Sequence, residues 1–511
     1  MVRVVIISTF LFINLLVQSC TTDNPLTPFD SIDLHIKGGK IYDGSETPPF
    51  NGHIYVVGDS IIYAGEEELN HPDIKKVIDA QGKCVAPGLI DLHAHGNPLS
   101  TPSFNNFLAM GVTTIVLGQD GSSPRVNPLK EWMQKVDSSG IGVNLAMMVG
   151  HGTLRRLSGI GNDTQPEENE LVIMNEMLDD HMEYCFGLST GLEYTPGLYA
   201  GSEELEGLAR IVGNHDRIIM SHMRNEDDDQ LEASLQELIS QGTYCKVHVA
   251  HIKSVYGKGS ERAEEILKIL YDARKRGVRI TADMYPYTAS YTGISILFPE
   301  WAKSREQLKQ VLPARRSELE SFIRNKVTLR NGPEATLLGS EPYTGKTLAD
   351  LEEEMNLPFE KILIDVIGPG GSSGAYFVMN EELQSRLLQD PLISVCSDGS
   401  PTGHHPRGHG TFAKIIEKYV MQEKALTLTE AIHKMTAYAS SILGLSDRGM
   451  IQSGKKADLI IFSREEVKAM ADYPNPHQLS LGFDDIIVNG KAVREKGKFS
   501  SALYGKVLYP K

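Results

Sequence analysis

Cysteine is scarce, with five in 511 residues, at 20, 84, 185, 245 and 396, and no C-x-x-C pair among them. That spacing excludes a zinc ribbon and supplies no disulfide framework, so the last four read as buried thiols. Basic runs are missing as well. Lys and Arg number 50 against 66 Asp and Glu, a formal charge of −16 with no Lys/Arg block. The electrostatic footprint of a DNA- or RNA-binding protein is therefore absent, and nucleic acid is not an expected partner. Long apolar runs are lacking too. The one candidate, Val4 to Val17, falls short of the roughly 20 residues a membrane-spanning helix needs.

That short run has a different use. Arg3 precedes it and Leu16-Val-Gln-Ser-Cys20 closes it, the pattern of a signal peptide's charged start and apolar core. Small residues before a cysteine resemble a bacterial lipobox. The resemblance implies a lipoprotein-type signal over 1–19, a lipid on Cys20, and a polar tether over 20–31. The chain is then expected to be exported and lipid-anchored in a bacterial cell envelope, touching the membrane only through that lipid. A plain secretory signal with an incidental Cys20 is the alternative.

Apolar residues make up 41% and charged residues 23%, enough to bury a sizeable core. Short alternating runs split by Gly and Asp fill 32–88 and recur over 451–511, as in "GHIYVVGDSIIYAGE" and "FDDIIVNGKAVREKG". Both ends therefore predict strands of one small β-sandwich. Between them, over 89–450, eight apolar runs alternate with helical patterns such as Ser202–Gly213 and Ser260–Arg276. Eight βα units predict an α/β fold, a (β/α)8 TIM-like barrel. The stretch 297–351 is longer than an ordinary βα connection and predicts an insertion or lid.

In such a barrel function gathers where strands end. The first run ends on His93 and His95, whose i, i+2 spacing puts both rings on one face of a strand. The second ends on Asp120, the third on His151, the fifth on His222, the sixth on His251 and the eighth on Asp398. Imidazole and carboxylate together suit Zn²⁺, as one ion or as two sharing a bridging ligand. Asp120 fits that bridge, although in "GQDGSS" an Asp also serves as an ordinary turn cap. His151 reads equally as a site residue or as a cap of "GHGT". Glu193 reads as a solvated loop residue, or as a bridge if Asp120 is not one.

The motifs "PGLIDLHAHG", "GHGTLR", "GLSTGLEYTPGLYA", "SHMRNE", "AHIKS", "DMYPYTAS", "SDGS" and "HPRGHGTF" occur in that order. With the split β ends, the sequence resembles the amidohydrolase superfamily and, within it, the N-acyl-D-amino-acid deacylases or D-aminoacylases. The resemblance implies His222 and His251 around a tightly held zinc, and His93, His95 and Asp398 around a second position. It also implies Lys253, Arg407, Tyr194, Tyr285, Tyr287 and Ser290 around the substrate carboxylate. Members commonly carry "GNCG" where this chain has "GQDG", so Asp120 stands where a Cys ligand is usual.

These groups support metal-assisted amide hydrolysis, with Asp398 as general base and then acid. The implied reaction releases a carboxylate and a D-amino acid from an N-acyl-D-amino acid. A dipeptidase acting on a C-terminal D-residue would use the same chemistry, as would a cyclic-amide hydrolase. Cyclic-amide enzymes typically bridge their metals with a carboxylated Lys, and the fourth run, "CFGLSTG", has none. A non-enzymatic binding lipoprotein is the rival outside enzymes. Side-chain specificity, metal number and oligomeric state are not encoded in any motif.

Overall fold

The computed structural model describes residues 24–511; the signal segment, Cys20 and the first tether residues lie outside them. Eight aliphatic and β-branched runs form strands at Leu89–Asp91, Val112–Leu117, Asn144–Gly150, Gly187–Gly191, Ile218–His222, Lys246–Val249, Ile280–Met284 and Ile393–Val395. They lie in chain order and pair in parallel. All six residues of Val112–Leu117 and all seven of Asn144–Gly150 are buried, which is why these strands carry apolar residues on both faces and show no apolar–polar alternation. The last strand closes on the first. Asp398 N–H donates to the His93 carbonyl and His95 N–H to the Gly399 carbonyl, both at 2.8 Å, around an Ala94–Gly399 bridge. The ring thereby loses its free edges.

Helices cover the strands from outside. In Ser202–Asn214 the residues Leu205, Leu208, Ala209 and Val212 are buried, the i, i+3, i+4, i+7 stripe of an amphipathic helix. Each such aliphatic residue contributes about 1.5–3 kcal/mol by leaving water. A charge at Leu208 would break that seam.

The two ends of the chain meet in one nine-stranded sheet. Its junction is the antiparallel pairing of Cys84–Pro87 with Leu459–Phe462. Leu34, Ile36, Ile54, Val56, Leu459 and Ile487 share the core that this sheet encloses. Strand register therefore ties the first barrel strand, which begins two residues after Pro87, to the C-terminal segment.

The excursion between the seventh and eighth barrel strands is a small subdomain. Ser290–Gly293 and Thr336–Leu338 both pair antiparallel with Ser373–Tyr376. These strands and the helix Arg305–Leu329 enclose a separate core including Ile294, Leu319, Ile323, Leu338 and Tyr376. The ordered excursion thus reaches beyond 297–351 on both sides. The flanking strands are only four residues each, too short to stand out from loop sequence.

Candidate metal centre

Barrel closure sets His93 and His95 beside Asp398, because the first strand's end is hydrogen-bonded to the eighth's. Asp120 enters from the second strand on a tight turn. Its φ is +53°, and Gly121 follows at +70° with a Cβ position only 2.8 Å from Gly191 N. Only glycine fits that second place. His251 and Asp398 also have left-handed backbone, at +38° and +49°. Each such non-glycine residue costs about 1–3 kcal/mol, a strain that concentrates at functional sites.

The side chains converge. His93 Nε2 lies 3.3 Å from Asp120 Oδ1 and 3.7 Å from Asp398 Oδ1. His95 Nε2 lies 3.4 Å from Asp120 Oδ2 and 3.1 Å from Asp398 Oδ1. On the other side His222 Nδ1 and His251 Nε2 are 3.1 Å apart, and 3.7 and 3.3 Å from Asp120 Oδ1. Ligands about 2.0–2.1 Å from a tetrahedral ion sit about 3.4 Å from one another. These separations match that edge length. Two ligand sets therefore share Asp120: His93, His95 and Asp398 with it, and His222 and His251 with it. Its carboxylate turns away from the DGSS backbone and serves as more than a turn cap.

Two further observations fit a divalent cation. His93 is fully buried, yet neither ring nitrogen has a hydrogen-bond partner, an arrangement that costs free energy unless a ligand uses it. Charge tells the same story. Burial would discharge His95, but hydrogen bonds to Asp120 and Asp398 overcome it and push the ring up to about 10. Burial and Lys253 oppose charge on His251, yet Asp398, Asp120 and Glu226 raise it to about 9. Without an ion, the site fills its demand for positive charge with protons.

The imidazoles are braced from behind. Glu193 Oε2 faces His222 Nε2 at 3.2 Å, and Glu226 Oε1 faces His251 Nδ1 at 3.3 Å. Each carboxylate can take the N–H remote from the metal side, which fixes tautomer and ring angle. Asp91 Oδ1 accepts the His93 backbone N–H at 3.2 Å, and Asp283 Oδ1 accepts that of His251 at 2.5 Å. Burial pushes Asp91 up to about 7.

A cavity of about 400 Å³ opens above the ligands, lined by His95, Asp120, Tyr194, Arg407 and Asp398 among others. The Tyr194 ring lies tilted 4.5 Å from that of His222, and its hydroxyl accepts from Thr292 Oγ1 at 3.0 Å. Arg407 Nη1 stands 2.6 Å from Asp398 Oδ2, and Nη2 donates to the Tyr291 carbonyl at 3.0 Å. Burial opposes its ionisation, but Arg407 beside it holds the Asp398 carboxyl far below the usual carboxylate range.

A model of the amidohydrolase family matches residues 355–493. An N-acyl-D-glutamate deacylase of Alcaligenes xylosoxydans xylosoxydans is 29% identical over 491 residues, covering 91% of this chain and 94% of its own. The crystal structure of an N-acyl-D-glutamate deacylase from Bordetella bronchiseptica, complexed with zinc and a phosphonate mimic of the tetrahedral intermediate, superposes with a TM-score of 0.81. Its identity is 28%, covering 94% of this chain and 100% of that one. In sequence and fold the chain is similar to amidohydrolases over nearly its whole described length. A D-aminoacylase with a binuclear metal centre is similar too, at a TM-score of 0.80 and 25% identity, with coverage of 94% and 100%.

Several expected residues stand elsewhere than the cavity wall. His151 is wholly buried and binds Glu204 at 2.7 Å, alongside the Arg155–Glu204 ion pair; it braces that network instead of meeting a substrate. Lys253 is 2% exposed and spends its ammonium on both Glu226 oxygens, at 2.7 and 2.8 Å. Tyr285 packs under Arg407, 4.9 Å from its guanidinium, with its hydroxyl buried and unbonded. Tyr287 turns toward His405 and Lys414, and Ser290 begins the subdomain strand. Glu193 is 9% exposed and not a solvated loop residue. Glu226 in "SHMRNE", Asp283 in "DMYPYTAS" and Asp91, two residues before His93, also serve the site, and no local pattern sets them apart from ordinary acidic residues.

Proposed function

We propose that this chain hydrolyses the amide bond of N-acyl-D-amino acids, releasing a carboxylate and a D-amino acid, with zinc as its metal at one or two ions per chain. The observation that carries the reading is the shared carboxylate: Asp120 stands between the His93/His95/Asp398 set and the His222/His251 set, at the floor of a cavity sized for a small molecule. The similarity to a D-glutamate deacylase and a D-aminoacylase over more than nine-tenths of this chain supports the same chemistry.

Zinc held by these ligands supplies Lewis acidity, lowering the pKa of a water and polarising an acyl carbonyl. The chain supplies the rest. Asp398 faces both the ligands and the cavity, and its Arg407 partner keeps it ionised through the whole working range. An ionised Asp398 has the lone pair to accept the water's proton, and the Arg407 pairing lowers its basicity, so the proton is held only in passing. So acidic a group then gives that proton readily to the departing amine. Tyr194 offers a hydroxyl on the cavity wall, kept protonated by burial and by Asp120 and Glu193 nearby. Glu193 and Glu226 hold His222 and His251 in the tautomers that present Nδ1 and Nε2 inward.

The test is turnover by zinc-reconstituted protein of N-acetyl-D-amino acids, their L-enantiomers, L,D-dipeptides and a hydantoin. Release of free D-amino acid from the first group is expected. Turnover confined to L-substrates or to the cyclic amide overturns the reading. The proposal extends to cellular placement on residues 1–20 alone: Cys20→Ser should move the protein from the membrane fraction to the soluble envelope fraction, and an unchanged distribution would reject lipid anchoring.

A further inference from the structure

A second group of ligand-type side chains lies on the sheet formed by the two chain ends, among residues that amide hydrolysis does not use. His35, on the strand Leu34–Ile41, pairs across the ladder with Tyr55 on Phe50–Val57. His53 stands two residues before Tyr55, hence on the same face of the sheet and within diagonal reach of His35. His35 Nε2 and His53 Nδ1 are 3.1 Å apart, the same separation as His222 Nδ1 and His251 Nε2 in the metal centre. A carboxylate oxygen of Glu68 lies within 4.8 Å of both nitrogens. Three donors from three segments therefore surround one point.

The group is preorganised by a single neighbour. The Tyr55 ring stacks on His35, with centroids 4.1 Å apart and planes 10° from parallel, which fixes the imidazole plane. The Tyr55 hydroxyl donates to the Leu69 carbonyl at 2.7 Å and accepts the Leu69 N–H at 2.9 Å, which fixes the backbone beside Glu68. Supporting contacts of this kind orient metal ligands. Two ring nitrogens 3.1 Å apart cannot both carry protons, so at least one lone pair points inward and the other ring need only change tautomer. Glu68 is paired with Lys37 at 2.6 Å, but both side chains are nearly half exposed. So solvated a pair contributes little and gives way to a divalent ion, with Lys37 turning to water.

We propose that His35, His53 and Glu68 form a further zinc site, separate from the centre around Asp120. Two imidazoles and a carboxylate suit Zn²⁺, and a water completes four-coordination. The position of the site gives it a structural task. Glu68 belongs to the loop whose Asn70 carbonyl accepts from Asn24 Nδ2 at 2.9 Å and whose His71 Nε2 donates to the Phe29 carbonyl at 2.9 Å. An ion at this point joins both strands to the loop that seats Asn24–Phe29, and so clamps the chain where it enters the sheet.

The full chain is dialysed against micromolar free zinc and its metal content is measured beside that of His53→Gln and Glu68→Gln. Both positions are at least partly exposed, and far-ultraviolet circular dichroism checks that each variant is folded. The wild type is expected to hold one zinc per chain more than His53→Gln, while Glu68→Gln holds the same ion more weakly in chelator competition. Zinc should also slow proteolysis within 66–74 in the wild type and leave His53→Gln unprotected. Equal zinc content in wild type and His53→Gln overturns the site, and a 66–74 cleavage rate indifferent to zinc overturns the clamp. Neither readout uses turnover, so a failure here leaves the deacylase reading standing, and a failure to hydrolyse N-acyl-D-amino acids leaves this site standing.

Discussion

Zinc binding should release about two protons per chain near neutral pH, and the reason is visible in the ligand geometry. In the ion-free site His95 titrates near 10 and His251 near 9, so both rings are charged at pH 7. A ring ligates only through a free lone pair, so both protons must leave before the ion is held. Each pH unit below such a value weakens apparent affinity about tenfold per ring. Solvent at the His95 side chain, which is 36% exposed, screens its pairing, so affinity at pH 7 should stand about 10³- to 10⁴-fold below its alkaline limit. Chelator competition between pH 7 and 8 should give a logarithmic slope near two. Calorimetry in two buffers of different ionisation enthalpy counts the protons directly. Asp120→Asn removes a carboxylate that faces both rings, so slope and affinity should fall together. A wild-type slope below about one-half, or zinc uptake without proton release, would refute the reasoning.

The same shifts set stability. Rings whose folded pKa is raised stabilise the fold fully below about 6.5 and lose that contribution as pH rises through 9 to 10, so the Tm of chelator-treated protein should fall over that range while that of zinc-loaded protein holds. Asp398→Asn should lower kcat by about 10²- to 10⁴-fold if proton transfer is its task; single-turnover assays with measured zinc content separate this from loss of a ligand. Glu226→Gln weakens the hold on His251 Nδ1–H and should cost about 10- to 100-fold in zinc affinity, read by the same chelator titration. Glu204→Gln leaves the fully buried Arg155 short of its counter-charge and should destabilise the fold by about 3–5 kcal/mol in urea melts. His151 partners the same carboxylate, so zinc stoichiometry should not change.

Much of the centre is legible in the sequence. Strand-end placement alone drew His93, His95, Asp120, His222, His251 and Asp398 together, because parallel strands in a closed barrel deliver their last residues to one rim. That argument says which rim a residue reaches and nothing about where its side chain points. His151 shows the limit: it ends the third strand like the ligands, yet its ring turns to Glu204. Lys253 shows another. Its spacing from His251 is right for the site, but Glu226 from the preceding strand's loop consumes its charge, and no pattern in either segment announces the pairing.

Local patterning is enough to specify the barrel, the pairing of the two chain ends and the kind of chemistry at the rim. Apolar periodicity and residue type are local properties that survive in a string of letters. Packing between remote elements settles which carboxylates become ligands, braces or counter-ions, and makes the seventh-strand excursion a subdomain with its own core. Those are properties of distance between elements remote in the chain. They depend on which groups burial forces together, and the energy of a buried charge is set by neighbours that strand order brings within a few ångströms.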